Sequence, residues 1–205
     1  MKILVATRSE GKQRELRRLF AEAGHEAVFP SEAGAPWSGA EELLEVADSF
    51  QTNARVKAEY FARKTGLPTV ADDSGLEVIA LGGKPGTRSK RFAGATGSPL
   101  EVDQANNKEL LRRLSGLAEA KRRARYRCVL AYLPAPGAVP QMFEGTCNGR
   151  ILAEPRGEGG FGYDPLFLND DLDQTFGEAD PAAKDTVSHR GRAFRAFLAA
   201  LQPSS

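Results

Sequence analysis

The sequence predicts an α/β fold: a mixed sheet with flanking helices, arranged as two lobes around a central substrate cleft. Three observations lead there. An apolar run near residue 2 is followed by a polar turn and an amphipathic helix, which is how an α/β unit opens. Residues 124–132 alternate with a period of two, as a strand does. The helical segments gather their apolar residues on one face, which has to be covered by another layer.

Taken in order, residues 2–7 (Lys-Ile-Leu-Val-Ala-Thr) form a nearly continuous apolar strand of the kind buried on both faces. Lys12–Ala23 then puts Leu16, Leu19, Phe20 and Ala23 on one helical face, and Gly24 ends it. Residues 31–48, rich in Gly, Pro and acids, read as a loop. Ser49–Lys64 is the second helix, through Phe50, Ala54, Ala58, Phe61 and Ala62. Leu67–Ala71 is a short strand running into Asp72-Asp73-Ser74-Gly75, and a third apolar stretch, Leu76–Leu81, breaks at Gly82-Gly83. Ser98 and Glu101 make a capping box with Pro99 at the first helical position, opening a helix to about Leu114. Ala124, Tyr126, Cys128, Leu130 and Tyr132 line one face of a strand. Met142–Ile151 pairs with it across a Pro/Gly turn as an antiparallel hairpin. A Gly-rich loop at 157–162 leads to Tyr163–Leu168, and Arg190–Leu201 is the last helix. One domain over residues 1–205 holds all of these.

Composition narrows the function classes. The chain has 205 residues, 41% of them hydrophobic, which is too apolar for disorder. That length buries a core without help from a disulfide or metal. Twenty-eight basic residues against 27 acidic leave a formal charge of +1, which counts against a dedicated nucleic-acid binder. No apolar window is long enough to cross a membrane, and Arg8 comes too early for a secretory leader. Two cysteines, Cys128 and Cys147, are too few for a disulfide framework or zinc site. A cytoplasmic protein is the expectation.

Five features can carry chemistry. Thr7-Arg8-Ser9-Glu10-Gly11-Lys12 lies between a buried strand and a helix, where backbone N–H groups and a lysine suit phosphate. It lacks the P-loop pattern, and an ordinary turn with a solvated lysine is the plainer reading. Asp72-Asp73 sits at a strand end with the two carboxylates pointing to opposite sides, so that one can act as base or metal ligand while the other orients its neighbours. Hard oxygen ligands beside phosphate favour Mg²⁺. The alternative is a surface turn, since Asp-Asp-Ser-Gly is also good turn chemistry. The acids are adjacent, not spaced as in haloacid-dehalogenase phosphatases.

Gly159-Gly160-Phe161-Gly162-Tyr163-Asp164 leaves the Phe161 ring little covered, able to stack on a base or to tuck back under its loop. Ser188-His189-Arg190 can bind an anion or a base carbonyl, or can be a helix cap with both cations in solvent. Residues 112–127 carry a formal +6 and residues 164–180 a formal −6. These runs read as solvated faces or as partners across a subunit interface, more than as a nucleic-acid patch.

The order of these blocks is more telling than any one of them. A-T-x-x-x-G-K-x-x-E-L from Ala6, F-x-x-N-A-x-x-K-A from Phe50, A-D-D-S-G-L from Ala71, L-G-G-x-P-G-x-x-S-x-R-F from Leu81, G-G-F-G-Y-D-P-L-F from Gly159 and S-H-R-G from Ser188 resemble the inosine triphosphate pyrophosphatase family, also called XTP/dITP diphosphatases. The resemblance spans residue 2 to about residue 200. It implies a two-lobed α/β homodimer that splits non-standard purine triphosphates (ITP, dITP, XTP) between the α and β phosphates with Mg²⁺, giving a monophosphate and pyrophosphate.

The resemblance also implies residue roles. Thr7 through Lys12 would hold phosphate, with Lys57 adding a cation. Glu45 looks like a metal ligand, and Asp73 a metal ligand and general base, with Asp72 beside it and Ser74 on substrate. Phe161, Gly162, Tyr163 and Asp164 would line the base and sugar pocket. Lys184 matches a substrate-binding lysine, and His189 and Arg190 sit near the base. Ser9 stands where the family usually has Asn, and Val46–Ser49 replaces its usual T-G-x-T. The rival readings are a Maf-type pyrophosphatase of other base specificity and a non-catalytic nucleotide- or RNA-binding module.

Overall fold

The computed structural model describes residues 2–201. It contains a seven-stranded mixed sheet in the order β2-β1-β3-β4-β5-β6-β7. The strands are β1 (Lys2–Val5), β2 (Glu26–Val28), β3 (Thr69–Val78), β4 (Arg123–Leu133), β5 (Gln141–Ile151), β6 (Phe167–Asn169) and β7 (Gln174–Thr175). The helices are α1 (Glu10–Glu22), α2 (Phe50–Thr65), α3 (Pro99–Arg113), α4 (Pro181–Val187) and α5 (His189–Leu201). β1 pairs in parallel with β2 and β3, whereas β6 pairs antiparallel with β5 and β7. The expected mixed α/β architecture is therefore the observed one. No helix among the described residues is long and apolar enough to cross a membrane.

The chain divides into two compact units. One comprises the residues up to Asp73, Cys128–Gly145 and those from Gly191 onward; the other comprises Ser74–Arg127 and Thr146–Arg190.

In the first unit, the two-residue period of a strand sorts side chains onto two faces. Ile3 and Val5 of β1, with Cys128, Leu130 and Tyr132 of β4, meet Leu16, Leu19 and Phe20 of α1 and Phe194 and Phe197 of α5. The alternate residues, Leu4, Ala6, Val129, Ala131 and Leu133, meet Ala54, Ala58, Phe61 and Ala62 of α2. Small alanines let α2 approach the sheet closely. Ser49 caps α2 by accepting the Thr52 N–H (3.3 Å), and Gly66 ends it in a left-handed conformation at φ 72°. The buried stripe of α2 also contains Asn53 and Lys57, one turn apart, so two polar groups face the sheet.

In the second unit, Leu76 and Val78 of β3, Ala124 and Tyr126 of β4, and Cys147 and Ile151 of β5 enclose a core with Leu110, Tyr163, Leu166, Phe167 and Phe176. The capping box of α3 is formed as expected, Ser98 accepting the Glu101 N–H and Glu101 the Ser98 N–H.

Four elements differ from expectation. β3 is a single ten-residue strand running through Asp72-Asp73-Ser74-Gly75, where a strand end was expected. Gly75 serves close approach, not a turn: a Cβ there would lie 2.2 Å from the Gly86 carbonyl oxygen and 2.6 Å from Ser89 Oγ. β2 and β7 are too short, at three and two residues, to show a period. Residues 181–187 form α4, capped by Asp180.

Candidate active site

The first unit collects charge around β3. Asp72 and Asp73 are 2% and 5% exposed, and being consecutive on a strand they face opposite sides. Asp72 Oδ2 takes the ammonium of Lys12, from α1, at 2.7 Å. Asp73 Oδ2 accepts Asn53 Nδ2, from α2, at 2.8 Å. Lys57, one turn further along α2, forms an ion pair with Glu45.

The electrostatics follow from this packing. Burial raises the Asp73 carboxyl above its ordinary range, and the nearby Lys57 and Lys12 hold it partly down. Lys57 brings Glu45 down to about 2, against its desolvation. Burial opposes the charge on Lys57, yet Glu45, Asp72 and Asp73 together outweigh it and raise the lysine further. Glu45 and Lys57 are thus both charged near neutral pH, while burial pulls Asp73 the other way.

Residues 7–12 run from β1 into α1. Thr7 is buried and its Oγ1 accepts the Ser9 N–H at 3.2 Å. Ser9 is the N-cap residue but its side chain makes no cap bond. The first hydrogen bond of α1 runs from Gln13 N–H to the Ser9 carbonyl (2.9 Å), so the amides of Glu10, Gly11 and Lys12 have no acceptor within the helix. Amides so placed, with the helix dipole behind them, suit an anion. Arg8 is directed elsewhere: its guanidinium holds Glu41 at 3.0 and 2.8 Å and the Ala35 carbonyl at 2.8 Å.

The second unit collects aromatic rings and cations. Lys184 Nζ is 2.6 Å from Asp164 Oδ2 and lies 5.2 Å from the centre of the Phe161 ring and 5.3 Å from that of Phe176. Arg190 also lies over Phe161, at 5.6 Å, and its Nη2 donates to Ser74 Oγ at 3.0 Å. Phe161 is half-buried with both cations near its ring, a cation–π arrangement that helps fix it in place. Asp164 Oδ2 also accepts the Phe161 N–H at 2.9 Å. Gly160, at φ 74°, sits where a Cβ would meet Asp164 Oδ2 at 2.2 Å, so both conformation and space demand glycine. His189 stacks on Tyr126 with centroids 4.6 Å apart and rings 8° from parallel, and its Nδ1 is 4.0 Å from Cys147 Sγ.

These sites sit in a chain with clear relatives. Residues 3–200 match the model of the Ham1 family. The chain belongs to the Ham1 family. It is 45% identical over 203 residues to a protein named dITP/XTP pyrophosphatase from Thioalkalivibrio sulfidiphilus, covering 98% of this chain and 99% of that one. It is likewise 45% identical to one of the same name from Frankia alni, over 95% of this chain and 94% of the other. Among solved structures, a HAM1 protein from Coxiella burnetii superposes with a TM-score of 0.83 at 33% identity, covering 98% of both chains.

Against this Ham1 background, the sequence-predicted residues fall into two groups. Glu45, Lys57, Asp72, Asp73 and the turn from Thr7 to Lys12 lie in the first unit; Ser74, Phe161–Asp164, Lys184, His189 and Arg190 lie in the second. Several placements correct the expectations. His189 and Arg190 are buried, at 4% and 3% exposure, so the solvent-facing alternative is excluded. Asp72 and Asp73 belong to a strand and not a surface turn. Lys184, matched to a substrate-binding lysine, is held by Asp164 beside two aromatic rings. The three proposed metal acids form no ready cage: among the described residues no three His, Cys, Asp or Glu side chains could hold a metal together. The opposed charge runs are joined by an exposed ion pair of Arg123 with Asp170 at 2.6 Å.

Sequence reasoning gave no role to Asn53, although it is the N of the F-x-x-N-A block and shares the face of Lys57. Glu41, which holds Arg8, and Tyr126, which holds His189, were missed for lack of any local pattern.

Proposed function

We propose that this chain hydrolyses non-standard purine nucleoside triphosphates (dITP, XTP and ITP) to the monophosphate and pyrophosphate, clearing them from the nucleotide pool. The observation that carries this reading is the cluster of buried Asp73, Asn53, Lys57 and Asp72 with half-buried Glu45 and Lys12. The names of relatives that match nearly the whole chain support it.

A triphosphate brings about four negative charges, which the ammonium groups of Lys12 and Lys57 and the first-turn amides of α1 would meet. Asp73, with its carboxyl raised by burial, is suited to take a proton from water. That water's oxygen bonds to phosphorus, the bridging bond between the α and β phosphates breaks, and pyrophosphate leaves. Glu45 and Asp73 offer hard carboxylate oxygens to a Mg²⁺ ion. Mg²⁺ is commonly held by one or two carboxylates, with water and substrate phosphate completing its shell, so these two would suffice. When bound, the ion supplies positive charge beside the phosphates.

In the second unit, the exposed part of Phe161 would stack on the purine. His189 and Arg190 would donate to the C6 carbonyl that hypoxanthine and xanthine carry and adenine lacks. The reading includes a cytoplasmic homodimer, as the family resemblance implies. It is tested by pyrophosphate release from dITP, XTP, ITP, dGTP and ATP, with Mg²⁺ and with EDTA. Rapid Mg²⁺-dependent release from the first three supports it; release from none of them, or equal release from ATP, refutes it.

A further inference from the structure

Gly162 lies between Phe161 and Tyr163, and a single helix holds both polar groups of its backbone. Its N–H donates to Asp103 Oδ2 at 2.7 Å, and its carbonyl accepts Asn107 Nδ2 at 3.0 Å. Asp103 and Asn107 stand four residues apart on α3, hence on one face, one turn from each other. Gly162 adopts φ 65°, while a Cβ there would meet nothing within 4 Å. The glycine therefore serves backbone conformation, and α3 fixes the orientation of the peptides on both sides of it.

The geometry is specific. Reversing the Asn107 amide would set its oxygen against the Gly162 carbonyl, so the donor assignment is forced by chemistry. In that orientation Asn107 Oδ1 is buried without a hydrogen bond. The flanking residues are fixed independently. Asp164 takes the Phe161 N–H, and the Tyr163 hydroxyl donates to the Ser89 carbonyl at 2.8 Å. Asn106, beside Asn107, ties residues 90–93 to the same helix by donating to the Lys90 carbonyl (3.1 Å) and accepting the Ala93 N–H (2.8 Å).

We propose that Asp103 and Asn107 are positioning residues for purine recognition: Asp103 sets the 161–162 peptide that follows the Phe161 ring and Asn107 the 162–163 peptide beyond it, and together they govern substrate affinity and base selectivity. This rests on the reading of Phe161 as the ring that meets the base. Rotation of the peptide at residues 161–162 would swing the ring off the line set by Lys184 and Arg190, and small misplacements of a contact surface are costly.

The test uses the full chain and four variants beside Phe161→Ala: Asp103→Leu, Asn107→Leu, Asn107→Asp and the conservative Asp103→Asn. Phe161→Ala should raise KM for XTP. Asp103→Leu, Asn107→Leu and Asn107→Asp should raise it about five- to tenfold, with a smaller change in kcat and a narrower XTP-to-ATP preference. Asp103→Asn keeps an acceptor oxygen and should stay near the parent. Phe161→Ala combined with Asp103→Leu should be little worse than Phe161→Ala alone. Amide exchange across residues 158–166 of the ligand-free protein should quicken in the two leucine variants, a readout independent of activity. An unchanged KM in Phe161→Ala removes the base-facing reading itself. A raised KM there with a parental KM in folded Asn107→Asp overturns this proposal alone, as does unchanged exchange in both leucine variants.

Discussion

Asn53 Nδ2 donates to Asp73 Oδ2 across 2.8 Å, joining the buried face of α2 to the middle of β3. The same amide closes two further bonds, accepting the Ala47 N–H and donating to the Ala47 carbonyl, each at 3.0 Å. One side chain thus orients the Asp73 carboxylate and anchors the loop that carries Glu45. Asn53→Ala would leave the Asp73 oxygen and both Ala47 groups without this partner. We expect a loss of about 1–3 kcal/mol in urea unfolding together with a fall in kcat. Asn53→Asp, which sets a second carboxylate against Asp73, should be worse on both measures. A parental kcat in the alanine variant would remove Asn53 from the orienting role.

Asp73→Asn tests the base directly. The amide can still accept from Asn53, so the fold should persist with a melting temperature near the parent's. Pyrophosphate release from XTP should fall by about 10²–10⁴-fold, the usual worth of a positioned general base. Near-normal turnover would falsify the assignment.

The helices were legible because apolar residues recur with the helical period: α1, α2 and α3 start and end within about two residues of expectation, an ordinary margin for helix ends. The site was legible in residue type but not in geometry. Asp72-Asp73-Ser74-Gly75 has the composition of a turn, and what makes it a strand is distant: Lys12 for Asp72, Asn53 for Asp73, and Gly86 and Ser89 against Gly75. No local pattern shows that a carboxylate will find a partner and can be buried. His189 and Arg190 follow the same rule, since their burial depends on Tyr126, Ser74 and Phe161. Asp103 is 59 residues from Gly162 in sequence, so the clamp on the glycine loop leaves no trace in either segment alone.

The Lys57–Glu45 pair makes stability depend on pH. Glu45 titrates at about 2 in the folded chain, below its ordinary value of 4.5, with the charge of Lys57 the largest cause. A carboxyl depressed by folding stabilises above its unfolded pKa, and that contribution fades as pH falls from about 4.5 toward 2. Lys57→Met removes the cause, so the variant should be less stable than the parent at pH 7, with the gap closing toward pH 3. Urea unfolding at both pH values, in EDTA to exclude metal, measures this. A gap that widens on acidification would contradict the pairing.

The ion pair between Arg123 and Asp170 is exposed, with the arginine side chain 45% accessible and the aspartate 32%. Pairs of this kind contribute about 0–1 kcal/mol. Asp170→Ala should therefore shift unfolding by less than about 1 kcal/mol. Because Arg123 and Asp170 are matched within the chain, this pair leaves self-association little to lose to salt, and sedimentation should show a weak salt response. A dimer that dissociates steeply as salt rises would return the opposed charge runs to a subunit interface.

On the proposed function, base selection would follow from what Arg190 can and cannot give. Its guanidinium is buried, donates to Ser74 Oγ and lies over Phe161, so it is fixed in place before any nucleotide arrives. A fixed donor meets a C6 carbonyl at little further cost, but an adenine amino group there would set donor against donor and leave both desolvated. The kcat/KM for ATP should accordingly lie at least about 10²-fold below that for XTP. Arg190→Leu should lower kcat/KM for XTP while leaving that for ATP nearly unmoved, so that the ratio contracts. Arg190→Lys should not restore it, because an ammonium lacks the planar fork that reaches Ser74 and covers Phe161 together. Equal losses for both nucleotides would place Arg190 in general binding and move selection to another donor.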